Sequence, residues 1–312
     1  MATSCGVSSV ISTRGLTKSF GKIEVLRGLD LEVPRGCIHG FLGPNGAGKT
    51  TTMHILLGLV PADGGEAEVA GFNARTDAEL IRQRSGVLLE HHGLYERLNA
   101  PENLALAGGL FGLSRSEALA RAKVSLEGIG LWDRRHDRLA TWSKGMKQRL
   151  AICRALLTGP EIIFLDEPTN GFDPGAAHSL RKDLQELVLQ ESITVFLNTH
   201  NLREAESMCD RVAVLRHGRA VAVGPPKDLG RQHAGLRIRA NKIGPKSLAA
   251  ARDCVGVVSV EATVDGIEVR LRQQSDAPTL IRELAAAGAQ IHEVATLGLG
   301  LEETYLKLLE VE

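Results

Sequence analysis

The apolar positions of this chain follow two spacings, every second residue near the start and every third or fourth further on. Between Val10 and Val33 the alternation is close to two, clearest in Ile23-Glu24-Val25-Leu26 and Leu29-Asp30-Leu31-Glu32-Val33, and it predicts strands. The short apolar run Cys37-Ile38-His39-Gly40-Phe41-Leu42, bounded upstream by Pro34 and Gly36, predicts a buried strand, and Thr52 to Leu57 continues as a helix. Glu66 to Ala70, closed by Gly71, reads as another strand. From Pro101 to Arg138 the texture is helical, with Leu104, Leu106, Leu110, Leu119, Val124 and Leu126 on partly periodic faces. Helices and strands then alternate from Lys144 to Val223. In Gly175–Leu189 the residues Leu180, Leu184, Leu187 and Val188 make one amphipathic face. Such alternation predicts an α/β fold, a largely parallel sheet covered by helices.

A boundary is expected from Gly224-Pro225-Pro226 to Gly235. Beyond it the pattern predicts a strand at Leu236–Arg239, a helix at Ser247–Cys254 and two strands about the Asp265-Gly266 turn. A helix at Pro278–Ala287 and a strand at Gln290–Val294 complete a βαββαβ sandwich. A last helix carries Leu301, Tyr305, Leu308 and Leu309 on one face. No internal repeat is evident.

Charge and cysteine usage narrow the classes. With 37 basic and 37 acidic residues no global field draws the chain to nucleic acid or anionic lipid. Cys5, Cys37, Cys153, Cys209 and Cys254 are scattered without metal-like spacing, which fits a reducing cytosol. The segment Met1 to Ser9 lacks the features of a secretory signal. No stretch approaches the roughly 18 apolar residues that cross a bilayer, so a soluble chain is expected, and any spans must come from another polypeptide.

The chemistry is concentrated in Gly43-Pro44-Asn45-Gly46-Ala47-Gly48-Lys49-Thr50-Thr51, a G-x-x-x-x-G-K-T phosphate-binding loop between the predicted strand and helix. Its glycines let backbone N–H groups turn toward a polyphosphate, and the helix N-terminus adds its positive end. Lys49 can reach the β- and γ-phosphates of a nucleotide, and the Thr50 hydroxyl can ligate Mg²⁺. Ile162-Ile163-Phe164-Leu165-Asp166-Glu167 is an apolar strand ending in two carboxylates. Asp166 is expected to face Mg²⁺, with Glu167 beside it as general base or water-orienting residue.

At this point the chain resembles the nucleotide-binding subunit of ABC transporters over residues 10–225. Thr141-Trp142-Ser143-Lys144-Gly145-Met146-Lys147-Gln148-Arg149-Leu150 looks like the family signature L-S-G-G-Q with its basic helix. Asn170-Gly171-Phe172-Asp173-Pro174 is similar to the D-loop, and Asn198-Thr199-His200 closes a strand as the switch histidine does. Phe20 matches the aromatic that stacks on adenine; core packing is its other reading. Ser143 is in either case an N-cap for the helix it opens. Two departures stand out within the signature, where Lys144 replaces a glycine and Met146 the glutamine. Lys144 either adds charge near a γ-phosphate or points to solvent. At the Q-loop position the family glutamine is Glu90, whose carboxylate suits Mg²⁺ or a water but adds negative charge beside triphosphate.

The resemblance implies a P-loop NTPase fold with a RecA-like core, an antiparallel β subdomain and a helical subdomain at about 91–158. Together these form an ABC nucleotide-binding domain over 10–228, followed by a small α+β domain over 233–312, possible roles of which are dimerisation and regulation. It implies ATP hydrolysis by Lys49, Glu167 and His200, with Ser143, Lys144, Gly145, Met146 and Asp173 touching nucleotide and with Thr50, Asp166 and Glu90 at the metal. It also implies a homodimer sandwiching two ATP molecules, working with a separately encoded polytopic membrane permease on the cytoplasmic face of the membrane. The terminal Leu301-Glu302-Glu303-Thr304-Tyr305-Leu306 after the appendage looks like ATPases of the ABC-2 type, which resemble drug and antibiotic exporters. A soluble ABC ATPase acting on ribosomes or DNA, and an importer subunit, are the competing readings. A single nucleotide-binding domain and the lack of a basic face argue against the first.

Overall fold

The computed structural model describes residues 9–297 apart from 90, 171, 173 and 232–234, together with Leu301 and Tyr305. The chain divides into two compact units, meeting in sequence between Val223 and Gly224.

The first unit begins with long strands β1 (Ser9–Phe20) and β2 (Ile23–Pro34), then β3 (Ile38–Leu42) and α1 (Lys49–Leu56). β4 (Gly64–Val69), β5 (Phe72–Asn73), α2 (Ala78–Gln83) and β6 (Ser85–Leu88) follow, then α3 (Ala100–Leu110), α4 (Arg115–Gly128) and α5 (Lys144–Leu156). The unit closes with β7 (Ile162–Asp166), α6 (Pro174–Glu191), β8 (Thr194–Thr199), α7 (Leu202–Met208), β9 (Arg211–Arg216) and β10 (Arg219–Gly224). Two sheets result. One is antiparallel in the order β2-β1-β4-β5, and the other runs β10-β9-β3-β8-β7-β6 with parallel pairing from β9 to β6. Every residue of β3, β7 and β8 is buried, as a parallel sheet covered on both faces requires. The main core joins Ile11, Leu16 and Leu29 of the antiparallel sheet, Met53 and Leu56 of α1, and Phe41, Phe164 and Phe196 of the parallel one. All three loops after β3, β7 and β8 therefore leave the same end of the sheet, where ligands of such folds bind.

The helical segment departs from its predicted faces. Leu104 and Leu126 are buried, but Leu106, Leu110 and Val124 are 44, 80 and 70 % exposed. The inner face of α4 is instead built on Ala118 and Ala122 with Leu126. Small residues prevail because α3 and α4 approach closely: a Cβ on Gly108 would lie 2.8 Å from that of Ala118. Asn99 and Glu102 form a capping box that fixes the start of α3.

The second unit contains α8 (Pro226–Arg231), β11 (Gly235–Asn241), α9 (Pro245–Asp253), β12 (Val257–Thr263), β13 (Gly266–Leu271), α10 (Ala277–Ala286) and β14 (Gln290–Leu297). Its sheet order is β12-β13-β11-β14, antiparallel throughout, a split βαβ arrangement. Leu236, Ile238, Ile267 and Val269 of the sheet pack on Ala251 of α9 and Leu280 and Leu284 of α10. Arg237 and Arg239 point away from that core and pair with Glu268 and Glu293. Leu301 and Tyr305 are helical and buried, whereas Leu308 and Leu309 lie outside the described residues.

Candidate functional site

A cavity of about 480 Å³ opens where β3 and β7 end, lined by the loop before α1, by Lys49 and Thr50, and by Asp166, Glu167, Asn170 and His200. The loop takes its shape from glycine. Gly46 and Gly48 sit at φ 81 and 106, in the left-handed region. A Cβ on Gly43 would meet the Leu215 carbonyl oxygen at 2.6 Å, and one on Gly48 the Leu26 side chain at 2.7 Å. Gly48 opens α1 without any side-chain cap, which leaves first-turn N–H groups available to an anion.

Lys49 is buried, and its ammonium donates to the carbonyl oxygens of Gly43 at 2.6 Å and Pro44 at 3.2 Å. Burial lowers its pKa, while the carboxylates of Glu167 and Asp166 act against that shift. A buried cation held mainly by carbonyl dipoles is a ready partner for phosphate. Across the cavity the Thr50 hydroxyl donates to Asp166 Oδ2 at 3.2 Å, and Asn198 Nδ2 donates to Asp166 Oδ1 at 3.3 Å. Both carboxylate oxygens are thereby oriented.

Glu167 adopts φ 48, a conformation rare for a side chain of this size. Two backbone bonds hold it there: its N–H donates to Asn198 O at 2.9 Å, and its carbonyl accepts from Asn170 N–H at 3.1 Å. The left-handed turn swings the carboxylate out of the strand direction, and its Oε1 lies 2.7 Å from His200 Nδ1. His200 is largely exposed and Glu167 is not, with side chains 59 and 18 % accessible.

The remaining candidates lie elsewhere. Phe20 ends β1, half-exposed, facing Ile23 across the hairpin. The Lys18 ammonium stands 5.3 Å from its ring centroid. Asp63 holds that hairpin by accepting from Lys18 Nζ at 2.8 Å and from Ser19 N–H at 2.6 Å. Ser143 caps α5, its hydroxyl accepting from Met146 N–H at 3.3 Å, and both it and Lys144 are exposed. Gly145 has open space where a side chain would be. Lys144 does not line the cavity that holds Lys49 but a neighbouring one of about 610 Å³, shared with Glu96, Lys147, Glu167 and Asn170. Glu90 and Asp173 lie outside the described residues.

Several polar side chains around the site make contacts that the sequence did not reveal. Gln148 of α5, buried, donates through Nε2 to Pro168 O at 3.0 Å. Lys147 pairs with Glu96 at 2.5 Å, and Arg154 donates to Gly93 O at 2.8 Å. Asn198 and Glu204 are also buried.

The family described as "ABC transporter" matches residues 26–170. The daunorubicin/doxorubicin resistance ATP-binding protein of Streptomyces peucetius is 35% identical over 96% of this chain and 92% of its own length. The linearmycin resistance ATP-binding protein of Bacillus subtilis is 32% identical, over 96% of each. Among solved structures, one described as the ATP binding subunit of an ABC transporter is 33% identical, covering 72% of this chain and 93% of that one with a TM-score of 0.65.

Proposed function

The chain belongs to the ABC transporter family, as the ATP-binding and ATP-hydrolysing subunit of an ABC-2-type exporter, and from that premise we propose that Lys49, Glu167 and His200 carry the hydrolysis. The observation that supports this most is that all three border one cavity with Thr50 and Asp166. Lys49 exchanges its loop carbonyls for β- and γ-phosphate oxygens. Glu167 takes a proton from a water as its oxygen attacks the γ-phosphorus and the bond to the β-phosphate breaks, releasing ADP. His200 exchanges its Glu167 contact for a hydrogen bond donated to the γ-phosphate and positions the water.

Mg²⁺ fits the donor set. Thr50 and Asp166 offer hard oxygens, and among the described residues no group of three His, Cys, Asp or Glu side chains could hold a metal unaided. An ion that keeps waters and completes its shell with phosphate oxygens suits such a half-site. When bound it neutralises charge on the β- and γ-phosphates. Phe20 stacks on the adenine from the hairpin that Asp63 braces. Ser143, exposed at the cap of α5, and Gly145 in its first turn close over nucleotide held by a second copy, so that two chains sandwich two ATP molecules with two-fold symmetry; Glu90 and Asp173 take the Q-loop and D-loop roles.

Family members of this kind work with a separate membrane component, and among the described residues no helix is long and apolar enough to cross a membrane. We place the permease on a groove of about 320 Å³ between β6, α3 and α5, rimmed by Tyr95, Leu106, Leu110 and Phe111. These apolar side chains are exposed, at 44 to 80 %. Docking there sets the chain on the cytoplasmic face of the membrane. The decisive experiment is Glu167→Gln in the full-length chain. It should keep ATP binding, lose turnover roughly 100-fold or more and accumulate as an ATP-bound dimer on gel filtration; normal turnover removes Glu167 from its role.

A further inference from the structure

A buried carboxylate sits behind the catalytic pair without touching the cavity. Glu204 of α7 is 6 % exposed, and its Oε2 accepts two hydroxyl hydrogen bonds, from Thr169 at 2.8 Å and from Thr199 at 3.2 Å. Thr169 lies two residues after Glu167, and Thr199 immediately precedes His200. One oxygen thus clasps the two chain segments whose ends carry the 2.7 Å contact between His200 and Glu167.

The local geometry argues against an ordinary capping role. A glutamate at the third position of a helix usually turns back to the N–H of the capping residue. Here Asn201 caps α7 by accepting from Glu204 N–H at 3.2 Å, but its own N–H donates to Thr199 Oγ1 at 3.0 Å. The carboxylate is turned inward instead. A chain of oriented bonds follows, from Asn201 N–H to the Thr199 hydroxyl, to Glu204, and back from the Thr169 hydroxyl, each polarising the next. The site is a costly place for a charge. Burial raises the Glu204 pKa, the Thr169 and Thr199 hydroxyls act against that shift, the nearby Glu167 carboxylate adds to it and the Arg181 guanidinium opposes it, and Oε1 finds no partner among the described residues. A leucine would fill such a space at lower cost unless the two hydroxyls need an acceptor.

We propose that Glu204 is a positioning residue for ATP hydrolysis, holding the segments of Glu167 and His200 in register through Thr169 and Thr199. The inference rests on the hydrolytic roles given above to Glu167 and His200. Among the described residues Glu204 makes no hydrogen bond to the phosphate loop or to a residue lining the cavity, so its loss should act on turnover and not on nucleotide binding.

The test is steady-state ATP hydrolysis by the full-length chain beside nucleotide affinity and melting temperature. Glu204→Ala should lower kcat roughly 10- to 100-fold while KM and nucleotide Kd stay within about twofold, because misplacement of a catalytic group acts on the reacting geometry. Glu204→Gln, whose carbonyl oxygen still accepts both hydroxyls, should recover most of the rate. Thr169→Val and Thr199→Val should each lower kcat, and neither should lower it further in the Glu204→Ala background, as expected of groups acting through one acceptor. Unchanged kcat in Glu204→Ala, additive losses, or no rescue by glutamine overturns the proposal. Should Glu204→Ala fail to fold, the two valine variants decide by the same split of kcat from KM. Glu167→Gln serves as the control: if it turns over normally the hydrolytic reading falls, whereas an inactive Glu167→Gln beside a fully active Glu204→Ala sinks only the positioning role.

Discussion

His200 Nδ1 lies 2.7 Å from Glu167 Oε1, joining the ends of two adjacent parallel strands across the mouth of the nucleotide cavity. The contact fixes the imidazole ring beside the carboxylate. His200→Ala should lower kcat by roughly 100-fold with a much smaller change in KM, since the lost hydrogen bond strengthens as charge develops on the γ-phosphate. Steady-state kinetics over a range of ATP concentrations checks the split.

The hairpin brace predicts an effect in the opposite parameter. Phe20→Ala should raise the KM for ATP about tenfold, in the range of base stacking on an aromatic face. Asp63→Ala, which removes both the Lys18 and the Ser19 hydrogen bonds, should raise KM in the same direction without lowering kcat. Comparing ATP with GTP would show whether the loss follows the base.

Metal dependence should track the Thr50–Asp166 pair. Chelation with EDTA should stop hydrolysis. Thr50→Val and Asp166→Asn should each require roughly tenfold or more Mg²⁺ for half-maximal rate. A magnesium titration at saturating ATP reads this directly.

Stability should depend on pH through His39, far from the catalytic groups in β3. The ring stacks on Phe196 with planes 4° apart, and neither nitrogen has a partner among the described residues. Burial, reinforced by the Arg211 charge, lowers its pKa from 6.5 to about 3. An unfolded chain takes up this proton below 6.5 and the folded chain does not, so stability is full above 6.5 and falls as pH drops toward 3. At pH 5 the loss from this residue is roughly 2 kcal/mol. His39→Leu should flatten the fall, measured as urea midpoints between pH 7 and 5.

The loop, the strand ending in Asp166 and Glu167, and the order of motifs were legible because each depends on residues adjacent in sequence. The same holds for β11 to β14, whose alternation and Asp265-Gly266 turn specify the sandwich locally. Leu106, Leu110 and Val124 misled because periodicity marks an apolar face without saying whether a core or another molecule covers it. Glu204, and the contacts of Gln148 and Asn198 inside their motifs, were silent because a buried polar residue is defined by its partners, here up to 35 residues away in the chain.

Helix α5 carries three attachments along its length: Lys147 to Glu96, Gln148 to the carbonyl after Glu167, and Arg154 to Gly93 at the edge of the apolar groove. Thirteen helical residues span roughly 20 Å. Such a strut ties the segment between β6 and α3 to the one that follows Glu167. The serine at its tip and the segment after Glu167 are therefore held by one helix, so that a displacement of either is felt by the other.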